Sequence, residues 1–302
     1  MIRRRIEIRE ILGFLGDKIS KVDGEVAGAY IDNLAEVERV NETTLDWINP
    51  SKHNKQEIAE GSKARVLLVD ESISPIAGKV LIRVKNPKVA IAEVGNHFFV
   101  EQPKRFIHTT AIIDPEAKIG KDVSIGAYCV IGKAVIGDGC VLDTNVRVYD
   151  DVVMGKSCVV KAGAVLGGAG FGYERDADGN KFRFPQIGQL IMGDYVEVGA
   201  NTCIDRGALA DTVIGDYTKI NNLCHIAHNN KIGKNVTITG CVNVSGSNVI
   251  DDDVWLAPNS SVRGWVHVGK GVTVGMGAVV VKDIPEGETW VGNPARKLDK
   301  KI

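Results

Sequence analysis

The chain has 302 residues, 44% of them hydrophobic and 25% charged, which suits a globular protein long enough for two domains. Its 37 basic and 38 acidic residues leave a net charge of −1, so no overall field recruits nucleic acid or an anionic membrane. No run approaches the roughly 18 apolar residues of a spanning helix, so no stable membrane insertion is expected.

Three arginines among the first five residues imitate the front of a secretion signal. The next stretch, IEIREILGFLGD, is broken by Glu7, Arg9 and Glu10, so no apolar core forms and a cytoplasmic protein is expected. Alternating apolar runs come next at ARVLLVD (64–70) and KVLIRVKNP (79–87), then a helix-compatible segment, AIAEVGNHFF (90–99). Residues 1–106 therefore read as a small α/β domain, with Pro103 marking its link to the second domain.

From residue 107 the pattern changes. Aliphatic side chains recur every sixth position at Ile107, Ile113, Ile119, Ile125 and Ile131, slip by one, and resume at Ile136, Leu142, Val148, Met154, Val160 and Leu166. After an interruption come Met192, Val198 and Ile204, then a second slip, then an unbroken run from Ile214 to Val280. A period of six fits neither a helix nor a half-buried strand, but it fits a short strand followed by a tight corner that Gly or Asn turns at low cost. Three such edges make a triangular coil of 18 residues, and coils stack at about 4.8 Å with the aliphatics inside. The repeat domain is placed at 107–288. Its interruption, charged and rich in glycine, reads as an excursion near 169–187, and 289–302 reads as a tail leaving the coil at Pro294.

Six cysteines (129, 140, 158, 203, 224 and 241) form no CxxC pair and read as small buried side chains. Two of them, Cys140 and Cys158, stand one coil apart.

The repeat resembles that of the hexapeptide-repeat acyltransferases, whose coil is left-handed. The resemblance implies a mainly β fold, a left-handed parallel β-helix behind a small N-terminal α/β domain. GGAGFGYERDADGNKFRFPQIGQLIMGDYVEVGANTCIDRGALADTVIG (167–215) and INNLCHIAHNNKIGKNVTITGCVNVSGS (220–247) resemble one family, the UDP-3-O-(3-hydroxyacyl)glucosamine N-acyltransferases of lipid A synthesis. INPSKHNKQ (48–56) and VKNPKVAIAEVGNHFF (84–99) are similar to the same family over a shorter span.

That resemblance implies an N-acyltransferase that moves an acyl group from a thioester to the amine of a nucleotide-linked amino sugar. His228, in HIAHN, would be the general base, a side-chain type that is both neutral and basic near pH 7. Gly246, in VSGS, would offer a backbone amide to the oxyanion, and its separation from His228 is one coil. His225 and Asn222 would orient the base or touch the acceptor. Asp205 and Arg206, in CIDRG, would shape the cleft. Trp47 would stack on the nucleotide base beside Asn49 and Pro50, although Lys52 and His53 stand where relatives carry an aromatic residue.

The last segment, GMGAVVVKDIPEGETWVGNPARKL, is similar instead to the termini of sugar acetyltransferases that use acetyl-CoA. Gly264 and Trp265 would line the acyl-donor groove, Trp265 standing where relatives carry a histidine, while His267 lies two residues on. Lys282 and Arg296 would meet coenzyme phosphates. The implied co-substrate is an acyl-CoA or acyl carrier protein thioester, with no permanently bound cofactor. Two alternatives stay open: a short-chain, CoA-dependent enzyme of O-antigen or capsule sugars, and a rod without catalysis. Carbonic anhydrases of the gamma type share the rod but need three metal-binding histidines, which His225 and His228 alone do not supply, so no metal is expected. The family also implies a homotrimer, because relatives place their sites in clefts between neighbouring rods.

Overall fold

The computed structural model describes residues 5–35, 37–101 and 105–298. Arg3 and Arg4 of the arginine-rich start, the expected link at Pro103 and the last four residues of the tail lie outside the described residues. The chain divides into two compact units, Met1–Gln102 and Pro103–Ile302.

In the first unit a four-stranded sheet runs in the order Ile19–Asp23, Val80–Val84, Val66–Val69, Leu45–Trp47, the first pair antiparallel and the others parallel. The two central strands are buried at every position, which is why they read as continuous apolar runs. Arg83, within that buried run, donates to Asp23 at 2.6 Å and to the carbonyls of Asp70 and Glu71. The helix expected at 90–99 begins earlier, at Pro87–Phe98, because Asn86 caps it by accepting from the Val89 N–H and proline suits its first turn. A second helix, Ile8–Leu15, buries Ile8, Ile11 and Leu15 against the same core.

The second unit is the left-handed parallel β-helix. Among the described residues its three faces are sheets of nine, eight and ten strands, most of them two residues long. On the first face the register runs Ile113, Ile131, Val148, Leu166, Ile204, Ile226, Val244, Val262, Val280. From Ile125 to Val280 these inward aliphatics are essentially sealed from solvent. Ile107 differs from expectation: it is 49% exposed, because the end of a stack has a neighbouring coil on one side only.

Both slips in the period have a structural cause. At Gly132–Ala134 one corner is a residue short, so Ile131 pairs with Val148. Between Ile204 and Ile214 four extra residues form a loop, 207–210, bulging from the corner, so Ile204 pairs with Ile226. The excursion is an exposed antiparallel hairpin, Tyr173–Arg175 with Lys181–Arg183, and the rod resumes at Leu190.

Two further expectations need correction. The coil runs past the boundary expected at 288: Thr289–Val291 still pairs in parallel with Thr273–Val274, because buried Trp290 closes the core. Only then does Arg296–Lys297 fold back antiparallel on it. Nor are all the cysteines buried: Cys203 is half-buried and Cys241 exposed. The buried ones sit at inner corners, where Cys129, Cys140 and Cys224 direct Sγ toward the carbonyls of Asp143, Gly155 and Thr239. Corners also tolerate bulkier residues than glycine and asparagine. Tyr195, Tyr217, Leu223, Cys241 and Trp265 all adopt φ near +60°, held by coil-to-coil bonds such as Leu223 N–H to Ala200 O.

Leu256, fully buried, anchors one ladder. Leu256→Ala is expected to lower unfolding free energy by about 2–5 kcal/mol, whereas Ile107→Ala should cost less than about 1 kcal/mol. Denaturant titration of both variants checks the difference.

Candidate active site

The candidate site lies on the corner joining the first face, at His225–Ile226, to the second, at Lys231–Ile232. Asn229 turns this corner at φ 60°. Asn230 points inward, fully buried, and its Nδ2 donates to the carbonyls of Ala227 (2.6 Å) and Ser245 (2.9 Å). Asn248, one coil on, donates from its Nδ2 to Ser245 O, and the N–H groups of Asn248 and Val266 donate to the Oδ1 atoms of Asn230 and Asn248. With the inner side of the corner pinned by this polar ladder, His228 is turned outward at a fixed place.

His228, Gly246, Gly264 and Lys282 succeed one another up this corner, one per coil. A β-carbon at Gly246 would lie 2.8 Å from His228 Cε1 and 3.0 Å from Nε2, so the imidazole occupies the space that a side chain at this position would need. The Gly246 carbonyl accepts from the Trp265 N–H at 3.2 Å. The Gly246 N–H makes no backbone bond to another described residue, which leaves a donor beside the ring. At Gly264 a β-carbon would stand 2.9 Å from Gly246 O, so neither coil above His228 carries a side chain into this track.

The excursion closes the other side of the ring. A β-carbon at Gly170 would meet His228 Cδ2 at 2.9 Å and Gln186 Oε1 at 2.8 Å. His228 Nδ1 is buried and has no hydrogen-bond partner. Arg206 holds this limb in place: its N–H bonds Gly168 O, its Nε donates to Gly188 O at 2.7 Å, and Nη2 meets Asp151 at 2.9 Å. Arg206 is thus a brace, a role its motif position alone does not reveal.

The other expected residues are distributed differently. His225 sits on the strand of the first face and bonds Asp205 Oδ2 at 3.2 Å rather than His228. The Asp205 carboxylate at this hydrogen bond raises the His225 pKa, against the opposing effect of partial burial. Asn222 occupies the preceding corner, where its Oδ1 accepts from the Ala200 N–H at 2.7 Å, so it belongs to the rod's own turns and does not join His228. Trp265 is 82% exposed, and His267 bonds Asp251 at 2.8 Å on the second face. Lys282 completes the column but lays its ammonium 5.2 Å from the centre of the Trp290 ring. Arg296 lies off the column, in the terminal antiparallel pair, with Nη1 donating to Ala295 O.

Within the first unit, Trp47, Asn49 and Lys52 line a cleft of about 840 Å³ together with Leu34, Glu38 and Ile91. The turn is closed by Asn49 Oδ1, which accepts from the Ser51 N–H. Among the described residues no three His, Cys, Asp or Glu side chains gather as a metal site, and no helix is long and apolar enough to cross a membrane.

The stacked hexapeptide coil is the fold of the hexapeptide-repeat acyltransferases. The profile "Bacterial transferase hexapeptide (six repeats)" matches residues 133–168 and 249–282. UDP-3-O-acylglucosamine N-acyltransferase 1 of Francisella tularensis subsp. holarctica is 37% identical, over 92% of this chain and 86% of that one. The UDP-3-O-acylglucosamine N-acyltransferase of Coxiella burnetii is 33% identical over 82% and 78%. Among solved structures, a UDP-N-acetylglucosamine acyltransferase of Francisella novicida superposes with TM-score 0.58 at 28% identity, covering 64% of this chain and 68% of that one. The chain belongs to the UDP-3-O-acylglucosamine N-acyltransferase family, and it is an enzyme that transfers acyl groups.

The His225–Asp205 pair has a pH signature. A raised folded-state pKa stabilises the fold below the usual histidine value of about 6.5, and that contribution is lost as pH rises through the raised value. Wild type is therefore expected to exceed Asp205→Asn in melting temperature by more at pH 6 than at pH 8.5, as differential scanning calorimetry would record.

Proposed function

We propose that the chain transfers an acyl group from a thioester to the 2-amine of a UDP-linked 3-O-acylglucosamine, a step of lipid A synthesis. The observation that carries this reading is the His228 imidazole lying where a side chain at Gly246 would stand. An amine held against His228 attacks the carbonyl of a thioester lying along the glycine track. His228 removes a proton from the attacking nitrogen, and the Gly246 N–H donates to the oxygen as it gains charge. Collapse of the tetrahedral intermediate forms the amide, breaks the C–S bond and returns the proton to the departing sulfur. The bare glycine track gives the thioester an approach along the corner.

The cleft at Trp47 and Asn49 takes the nucleotide, with the indole stacking on the base and the Lys52 ammonium available to its phosphates. Three copies assemble around the sites, as the exposed apolar side chains of Phe171, Phe182, Ile187 and Leu209 on the excursion and the neighbouring loop favour. The enzyme works in the cytoplasm, where acyl thioesters and nucleotide sugars are made. The donor is an acyl carrier protein or coenzyme A thioester, bound only as co-substrate.

His228→Ala should lower turnover at least about 100-fold while leaving the melting temperature within a few degrees. Thiol release from a panel of acyl carrier protein and coenzyme A thioesters, with the UDP-amino sugar as acceptor, reads the activity. Full turnover by the variant would remove His228 as base.

A further inference from the structure

Among the described residues four buried side-chain polar atoms lack a hydrogen-bond partner: Glu93 Oε2, Ser260 Oγ, Gln186 Oε1 and His228 Nδ1. Leaving such an atom unpaired costs about 1–3 kcal/mol, so the occurrence of two in one place asks for a physical reason. Gln186 and His228 are in one place. Gln186 Oε1 and the Cδ2 edge of the His228 ring approach the same point, lying 2.8 and 2.9 Å from where a Gly170 β-carbon would be. The Gln186 amide is oriented by its other end, where Nε2 donates to Phe184 O at 3.4 Å and turns the oxygen toward His228.

An imidazole fills nearly the same outline in two settings related by a half-turn about its Cβ–Cγ bond. That half-turn exchanges Nδ1 with Cδ2 and Nε2 with Cε1. It brings Nδ1 to the edge that meets Gln186 Oε1. At the same time Nε2 takes the position of Cε1, the ring atom closest to Gly246. One rotation thus turns His228 Nδ1 to the side on which Gln186 Oε1 lies and aims the second nitrogen at the track where the thioester lies.

We propose that Gln186 is the positioning residue of the catalytic imidazole: its Oε1 accepts from His228 Nδ1–H, which fixes the tautomer with Nε2 unprotonated and facing Gly246. The proposal rests on the reading of His228 as base. Which ring nitrogen carries the proton is set by the hydrogen bond the other makes, so a neutral amide oxygen on Nδ1 leaves Nε2 free to take the amine proton. Gly170 is part of the device, because any β-carbon there would wedge the two groups apart. The excursion hairpin, through its base at Gly170 and Gln186, is thereby coupled to the chemistry of a histidine carried by a different coil.

The test combines nitrogen-15 NMR of histidine-labelled protein with steady-state kinetics, the His228 signals being assigned by their absence in His228→Ala. The expected result is a neutral His228 carrying its proton on Nδ1 in the unmodified protein. Gln186→Leu, close in shape but without an acceptor, should abolish that preference and lower kcat about 10–100-fold with KM within about twofold. Gln186→Glu, which keeps an acceptor oxygen, should restore both. A wild-type His228 protonated on Nε2, or a Gln186→Leu enzyme with kcat within about twofold of wild type, would overturn the proposal. Acyl transfer to the amine by the unmodified protein tests the reaction itself, so failure of that reading and failure of the pairing are told apart.

Discussion

Coil-to-coil hydrogen bonding governs this molecule. Most strands of the rod are two residues long and have no stability alone, so each is defined by the parallel neighbours above and below it. The inward aliphatics supply the driving force for stacking, but the backbone ladder sets the register, and register decides which side chains share a corner. His228, Gly246 and Gly264 come together for this reason. They are distant in sequence and make no side-chain bond to one another, yet an 18-residue winding gives each the same angular place.

The same constraint explains the polar atoms inside an otherwise apolar rod. A corner exposes carbonyl groups toward the interior, and these need donors. Cysteine thiols serve at several corners, Thr202 and Thr218 at others, and under the His228 corner two asparagines do so. Asn230 donates to the Ala227 and Ser245 carbonyls and accepts from the Asn248 N–H, which ties the backbone that carries His228 to the next coil. A rigid corner costs no reorganisation when charge develops during reaction.

Much of this was legible in the sequence. The period of six predicted the rod, its 18-residue coil and the inward set from Ile125 to Val280, and it placed Gly246 one coil beyond His228. The excursion and both slips were visible as breaks in the rhythm. Other features were hidden because spacing is blind to direction and to long-range closure. Nothing in the order of residues shows that Trp290 still packs into the core, whereas the spacing of six between Asn222 and His228 already places them on successive corners. Gln186 lies in a recognisable stretch, QIG, but its approach to His228 depends on a hairpin returning to the rod, which spacing does not show. Arg206 was visible as part of CIDRG, whereas its function as a brace required the positions of Gly188 and Asp151.

The central claim is that an imidazole and a backbone N–H from adjacent coils act on one carbonyl. The most direct measurement is a crystal structure with a non-hydrolysable thioester analogue and the UDP-amino sugar bound. The account predicts the analogue's carbonyl oxygen within hydrogen-bonding distance of the Gly246 N–H, with the acceptor amine between the carbonyl carbon and His228. A carbonyl seated elsewhere on the rod, with Gly246 facing solvent or another group, would contradict it.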